Sequence, residues 1–170
     1  MKAFVVYESM HGNTEAIARA VAEGLAIGFE VTVADVRAMP VVGDTDLLVV
    51  GAPAHAFSVG PYRTRAVATW HGMAELRVRE VGLREYLGCS PWLPQVRAAA
   101  FDTNLDKPSL PGSAARMADR RLRVLGCSMV AAAQSFHLVG ITGPLVDGEF
   151  DRARRWGGTL ADTMCPVLPM

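Results

Sequence analysis

Residues 5–25 read VVYESMHGNTEAIARAVAEGL, and this stretch carries the strongest pattern in the chain. It begins inside the apolar run from Ala3 to Tyr7, which predicts a buried strand. A turn from Ser9 to Gly12 follows, and apolar residues then recur at helical spacing from Ile17 to Leu25. A strand that runs through a short turn into a helix is the first part of a βαβ unit, so the stretch predicts a parallel sheet covered by helices.

Further apolar runs predict the other strands of that sheet: Val31 to Ala34, Leu47 to Val50, Ala98 to Phe101 and Ser128 to Ala133. The run from Leu47 to Val50 is apolar without interruption, which is typical of a central strand covered on both faces. Neither a repeat nor a linker interrupts the pattern. Five strands alternating with four or five helices therefore predict one α/β domain over residues 1–170, with a doubly wound parallel sheet in a three-layer α/β/α arrangement.

The predicted helices after the first are less regular. We expect one from about Tyr62 to Met73, a short one from Leu83 to Leu87, and one capped by Ser113 that ends at Gly126. The last helix begins at Asp147-Gly148. Its predicted buried face consists of Phe150, Ala153, Gly157, Leu160 and Met164.

Composition excludes several classes of function. The chain has 170 residues, which suits one domain, and it is 51% hydrophobic and 20% charged, as globular proteins are. Lys plus Arg and Asp plus Glu number 17 each, so no net charge favours a nucleic acid or an anionic membrane as partner. The sequence has no run of about 18 apolar residues that would span a membrane.

The cysteines and the first residues indicate the compartment. Cys89, Cys127 and Cys165 are odd in number and far apart, which matches neither a zinc site nor a disulfide framework. The opening residues MKAFVVYESM predict a first strand rather than a signal peptide. We therefore expect a cytoplasmic protein without a metal site.

Three loops are expected to form the functional site. In doubly wound sheets, ligands bind at the carboxyl ends of the strands, near the point where the strand order reverses. The loops that follow the predicted first, third and fourth strands run from Glu8 to Thr14, from Ala52 to Gly60 and from Asp102 to Pro108. These loops should therefore lie close together in the folded protein.

The first loop has the features of an anion site. Gly12 allows a tight turn, and the unsatisfied amides at the start of the following helix favour an anion. Ser9 and Thr14 add hydroxyl donors, whereas the loop contains no Lys or Arg. It is therefore neither a Walker loop nor the three-glycine dinucleotide fingerprint. On this loop alone, an ordinary strand-to-helix turn with a capped helix is nearly as good an interpretation.

The same segments resemble a known family. Residues 5–25 resemble the FMN-phosphate loop of flavodoxins, Ser/Thr-x-Thr-Gly-x-Thr, with Ser9, Gly12 and Thr14 matching and His11 in place of the middle Thr. Residues 47–57 (LLVVGAPAHAF) resemble the second, ring-contacting loop of that family, and residues 99–104 (AAFDTN) resemble the third. The resemblance implies a flavodoxin-like fold that binds FMN. The implied FMN-binding residues are Ser9, Met10, His11, Gly12, Asn13, Thr14, Pro53, Ala54, His55, Ala56, Phe57, Asp102, Thr103 and Asn104.

The resemblance is weaker around the flavin ring. Flavodoxins usually hold the ring between aromatic residues of the second and third loops. Here the second loop offers His55 and Phe57, but Asp102 to Leu105 contains no aromatic residue. One face of the ring is therefore expected to be open, or covered by a second subunit in a homodimer. His55 is equally well interpreted as a solvated loop residue, and Phe57 could be a core or lid residue.

Three functions remain open from the sequence. The first is an oxidoreductase that passes electrons between FMN and a small-molecule acceptor, which an open ring face would suit. The second is an electron carrier that docks on a redox partner protein, although dedicated flavodoxins are usually acidic and this chain is neutral. The third is a non-catalytic flavin-binding domain. Menaquinone-dependent protoporphyrinogen oxidase is related to flavodoxins, but no residue here selects its substrate, and no catalytic residue stands out.

Overall fold

A computed structural model describes residues 1–57, 81–106 and 113–165. In chain order, the described elements are β1 (Lys2–Tyr7), α1 (Asn13–Leu25), β2 (Glu30–Asp35), a 3₁₀ turn (Val36–Ala38), β3 (Leu47–Pro53), α2 (Leu83–Cys89), β4 (Arg97–Leu105), α3 (Ala114–Val124), β5 (Ser128–Met129), β6 (Gln134–Leu138) and α4 (Glu149–Met164). The helix predicted from Tyr62 to Met73 lies outside the described residues. The predicted Ser113 cap is confirmed, since its side chain accepts the Arg116 amide.

The strands form one parallel sheet in the order β2-β1-β3-β4-β5. This order reverses direction between β1 and β3, as in a doubly wound sheet. β4 is long enough to pair with two strands: it begins beside β5, at Arg97 and Ser128, and ends beside β6, at Leu105 and Leu138. The predicted doubly wound α/β fold with a five-stranded parallel sheet is therefore confirmed, with the fifth position shared by two short strands.

The bounds of the predicted fifth strand are wrong. We predicted Ser128 to Ala133, but the strand ends at Met129 and pairing with β4 resumes only at Gln134. The apolar run Val130 to Ala133 was interpreted as a continuation of the strand. The Val130 amide does bond to the Ala98 carbonyl, but the chain then leaves the ladder. β6 was hidden by its polar residues, which alternate with buried Phe136 and Leu138.

Each face of the sheet has its own apolar core. On one face, α1 and α4 cover a cluster in which Phe101, Phe136 and Trp156 meet edge to face, with ring centroids 5.9–6.1 Å apart. On the other face, α2 and α3 bury Leu83, Leu87 and Leu122. The described elements thus form the three layers that the pattern predicted, whereas a single domain over residues 1–170 stays a prediction.

Glycines let α1 and α4 cross with their backbones in contact. A Cβ atom built on Gly157 would lie 2.2 Å from the Val21 carbonyl oxygen, and one on Gly24 would lie 2.0 Å from the Arg154 carbonyl oxygen. No side chain fits at either position without moving a helix. This crossing fixes α1, and with it the loop that enters α1, against the sheet.

The predicted buried face of α4 is correct except at Phe150. Ala153, Gly157, Leu160 and Met164 are buried, but Phe150 is 49% exposed. The first turn of α4 is held by Glu149 instead, whose carboxylate accepts the His137 amide at 2.6 Å and pairs with Arg152. Burial opposes ionisation of Glu149, yet hydrogen bonds from Arg152 and the His137 amide lower its pKa overall. In the described part of the chain, no helix is long and apolar enough to cross a membrane.

Candidate functional site

A cavity of about 310 Å³ opens at the carboxyl ends of the central strands. Its walls come from the predicted first, second and third loops and from a segment after β6 that was not predicted. The lining residues are Ser9, Met10, His11, Asn13, Thr14, Pro53, Ala54, His55, Thr103, Asn104, Leu105, Leu138 and Ile141. The structure therefore brings most of the predicted site residues together around one space.

Gly12 shapes the first loop. It caps α1 in the left-handed conformation, with φ +84°, and no side chain caps the helix there. The Ser9 hydroxyl accepts the Gly12 amide at 3.1 Å, which folds the loop back on itself. The first-turn amides of α1 have no carbonyl partner within the helix, and its dipole adds partial positive charge. This end of α1 is therefore built from neutral donors that suit an anion.

A buried pair of hydroxyl groups joins the first loop to the third. Thr14 Oγ1 lies 2.8 Å from Thr103 Oγ1, and both residues are 2% exposed. Thr103 is also bound on its other side, because its carbonyl accepts the Ala54 amide at 3.0 Å. One short stretch of β4 thus holds the start of α1 and the start of the second loop in fixed positions.

The second loop meets the first at the edge of the cavity. His55 is exposed, and its Nε2 atom lies 3.0 Å from Met10 Sδ. Pro53 and Ala54 provide the adjoining wall. This contact gives His55 a neighbour on the first loop, so the two loops meet beside the cavity.

Asn104 brings an unused acceptor to the cavity wall. Its Oδ1 atom is buried and has no hydrogen-bond partner among the described residues. Buried polar atoms are nearly always hydrogen-bonded, so an acceptor of this kind suits a ligand that brings an N–H or O–H group. Asn104 is therefore a candidate for a polar contact with a ligand at this end of β4.

Some predicted site residues lie away from the cavity wall. Asp102 is completely buried, and its Oδ2 atom accepts the Ser113 hydroxyl at 2.7 Å and the Ala115 amide at 2.9 Å, so it anchors the start of α3. Ala56 and Phe57 belong to the apolar core beneath α2 and α3. Gly12 shapes the loop without lining the cavity. For all four, direct contact with a cofactor stays a prediction.

The cavity also has aliphatic walls that the implied FMN-binding residues do not include: Leu105, which lies in the predicted third loop, and Leu138 and Ile141, which lie outside all three predicted loops. Leu105 ends β4, Leu138 ends β6, and Ile141 belongs to the hairpin that begins at Leu138. The signal was present in the sequence, since Gly140 and Gly143-Pro144 are turn residues placed directly after an alternating strand.

The described lining contains no Asp, Glu, Lys or Arg. Arginines near the amino end of α1 are bound to carboxylates instead: Arg19 pairs with Glu15 at 2.8 Å, and Arg37 pairs with Asp35 at 2.6 Å. Burial opposes ionisation of Asp35, but the hydrogen bonds from Arg37 lower its pKa overall. Among the described residues of the cavity walls, the ionisable side chains are therefore those of His11 and His55.

Comparison with known proteins gives a family and a fold. The sequence profile described as Flavodoxin matches residues 5–156. Comparison with curated proteins finds no match.

Three solved structures illustrate the similarity of fold. Oxidised Flavodoxin 2 from Bacillus cereus has a TM-score of 0.68 at 19% identity, covering 95% of this chain and 99% of its own. A flavodoxin from the domain Archaea has a TM-score of 0.64 at 19% identity, covering 96% and 99%. A flavodoxin, WrbA-like protein from Agrobacterium tumefaciens has a TM-score of 0.60 at 16% identity, covering 96% of both chains.

Proposed function

This chain belongs to the flavodoxin family, and from that premise we propose that it binds FMN in the cavity and acts as an oxidoreductase that passes electrons to a small acceptor. The observation that carries the proposal is the start of α1, a left-handed glycine cap without a side-chain cap, at the edge of a cavity. FMN, when bound, supplies the electron-transfer chemistry, and the protein supplies binding and orientation.

The first loop would hold the phosphate group. The amides of Asn13 and Thr14 open the helix, and the Ser9 hydroxyl, which accepts from Gly12, still has its own proton to donate. Thr14 stands against Thr103, so its hydroxyl is held in place rather than free to rotate. The residues present therefore fit a dianionic group bound by neutral donors.

We expect Gly12→Val to weaken FMN binding by about tenfold or more. A left-handed backbone costs a non-glycine residue about 1–2 kcal/mol, and the added side chain would stand beside the amides that meet the phosphate. Isothermal titration of the ligand-free variant with FMN measures the effect.

Gly148→Val is the matched control. Gly148 caps α4 with φ +88°, and a Cβ there, as at Gly12, meets nothing within 4 Å. The control should lose comparable stability while keeping its FMN affinity. Equal FMN affinities of the two variants would remove the first loop from the site.

The ring would lie against the second and third loops. Asn104 offers its unused Oδ1 atom to a ring N–H group, and Leu105 and Leu138 offer apolar contact. The side chain of His55 and the backbone around Ala54 would meet the same end of the ligand. The donor and acceptor chemistry of this wall thus fits a flavin, which carries one N–H group on an otherwise flat aromatic ring.

Asn104→Leu should separate ligand binding from stability. It removes one hydrogen bond to the ligand, worth about 1 kcal/mol, so FMN should bind about fivefold more weakly. It also removes a buried acceptor without a partner, so the ligand-free protein should be at least as stable as the parent in urea unfolding. A variant that loses stability but keeps its FMN affinity would contradict this assignment.

Two measurements test the proposal as a whole. Flavin absorption bands in the purified protein, with FMN released on denaturation, test the cofactor. Oxidation of NAD(P)H with small acceptors then tests the enzyme role against the alternatives, an electron carrier or a non-catalytic flavin-binding domain. The neutral net charge disfavours a carrier steered by acidic charge. A cytoplasmic location remains part of the proposal, as does a ring face that is either open to the acceptor or covered by a second subunit of a homodimer.

A further inference from the structure

We propose that the hairpin from Leu138 to Leu145 is a fourth loop of the site, and that its tip selects an uncharged, apolar electron acceptor. The inference rests on the proposed function, because the acceptor must approach FMN in the same cavity. It goes further by assigning a specificity role to a segment outside the three predicted loops and by naming the chemical class of the acceptor.

The hairpin is a defined structure rather than an open loop. Leu138 and Leu145 form an antiparallel bridge, and the Val139 amide bonds to the Pro144 carbonyl at 2.9 Å. The Gly143 amide closes the tip by bonding to the Gly140 carbonyl at 3.0 Å. Ile141 is therefore carried at the end of a hydrogen-bonded turn that continues directly from β6.

Asn13 fastens the tip of the hairpin to the start of α1. Its Nδ2 atom donates to the Thr142 carbonyl at 3.0 Å. Gly143 has φ +104°, and a Cβ there would lie 2.8 Å from both terminal atoms of the Asn13 side chain. The backbone conformation at position 143 thus favours glycine, and a side chain there would displace the Asn13 amide. The hairpin is held beside the helix end that would bind the phosphate.

The tip presents apolar surface at the cavity. Ile141 lines the cavity and is 77% exposed, and Met10 of the first loop lines it and is 63% exposed. Leu138, at the base of the hairpin, is almost fully buried. An apolar compound that reaches the cavity would cover Ile141 and Met10 and gain contact with both, whereas in the protein alone they face water.

The residues that line the cavity distinguish charged from uncharged acceptors. The described lining has no Asp, Glu, Lys or Arg, and its two histidines belong to the first and second loops, so a charged acceptor at the tip of the hairpin would lose hydration without meeting a carboxylate, ammonium or guanidinium group there. An uncharged acceptor has no such cost and gains the apolar contacts. The composition of the described lining and the aliphatic tip therefore favour the same class of compound.

The test uses oxidised, FMN-loaded protein without an electron donor, so that binding is measured apart from turnover. The probes are 2-(hydroxymethyl)anthraquinone and anthraquinone-2-sulfonate, which share a ring system and differ in charge. Anthraquinones lack the open ring position through which smaller quinones add to thiols, so the exposed Cys89 and Cys165 do not interfere. Visible absorption reports FMN loading, and difference spectra give each dissociation constant.

We expect the neutral probe to bind about tenfold more tightly than the sulfonate, and Ile141→Ser to weaken the neutral probe about fivefold. Ile27→Ser is the matched control, since Ile27 is 80% exposed just beyond the other end of α1. Ile27→Ser should leave the dissociation constants of both probes unchanged. In ligand-free protein, Asn13→Ala should speed hydrogen exchange at the Val139 and Gly143 amides. This measurement tests, without any cofactor, whether the bond from Asn13 to the Thr142 carbonyl holds the hairpin in place.

The outcomes distinguish the two proposals. Protein that loads FMN but binds the sulfonate as tightly as the neutral probe overturns the inference and leaves the proposed function standing. The inference is also overturned if Ile141→Ser binds the two probes as Ile27→Ser does. It is overturned as well if Asn13→Ala leaves hydrogen exchange at the Val139 and Gly143 amides unchanged. Protein that never loads FMN overturns both.

Discussion

Riboflavin is expected to bind this protein about 1000-fold more weakly than FMN. The two flavins differ only in the phosphate, so the difference in affinity isolates what the first loop contributes. Charge-assisted hydrogen bonds are worth about 1.5–3 kcal/mol each, and losing two or three of them corresponds to about three orders of magnitude in the dissociation constant. Quenching of flavin fluorescence on titration of ligand-free protein measures both constants.

Ser9→Ala provides the matching control for this comparison. The Ser9 hydroxyl accepts the Gly12 amide and keeps a proton for the phosphate. Removing this hydroxyl should weaken FMN binding and leave riboflavin binding unchanged. The ratio of the two dissociation constants should therefore fall about tenfold. Superimposable titration curves for riboflavin and FMN in the parent protein would contradict the assignment of the first loop.

Gly157→Ala is expected to destabilise the protein by about 3 kcal/mol, near the upper end of the usual cost of overpacking. The new methyl group would lie 2.2 Å from the Val21 carbonyl oxygen, and backbone atoms cannot rotate away as a side chain can. The helices α1 and α4 must therefore separate along their crossing. Urea unfolding followed by circular dichroism gives the change in the free energy of unfolding.

The next residue of the same helix supplies the comparison. A Cβ on Gly158 meets nothing within 4 Å, so Gly158→Ala should leave stability unchanged or raise it by about 0.5–1 kcal/mol through the greater helix preference of alanine. Similar unfolding midpoints for the two variants would show that α1 and α4 cross in solution with enough space between their backbones for a methyl group.

The part of the fold that the sequence predicted best is the part fixed by local patterns. The apolar run into Ser9 and the helical spacing after Gly12 predict β1 and α1 because side-chain periodicity differs between strands and helices. The break in the fifth strand was missed because apolarity alone does not say whether Val130 to Ala133 stay in the ladder. Phe150 was misplaced because a hydrogen-bonded carboxylate, Glu149, holds that turn.

Local patterns also limited how much of the site could be predicted. Neighbouring residues of a strand point to opposite faces, so Thr103 faces the start of α1 while Asp102 faces and anchors the start of α3. The pattern of the third loop gave no means to tell them apart. Asn13 was predicted from its motif, yet its contact with Thr142 depends on the path of the chain after β6, which no local pattern contains.

The bonds that hold the site together have a consequence for the order of folding. Asn13 and Thr142 are 129 positions apart, and Thr14 and Thr103 are 89 apart. Contacts between residues so distant along the chain carry a high entropic cost and form late. The first loop can turn as soon as β1 and α1 exist, but its two anchors arrive only with β4 and the hairpin. During synthesis, the segment that contains β1 and α1 therefore leaves the ribosome before the residues of β4 and of the hairpin that anchor its turn.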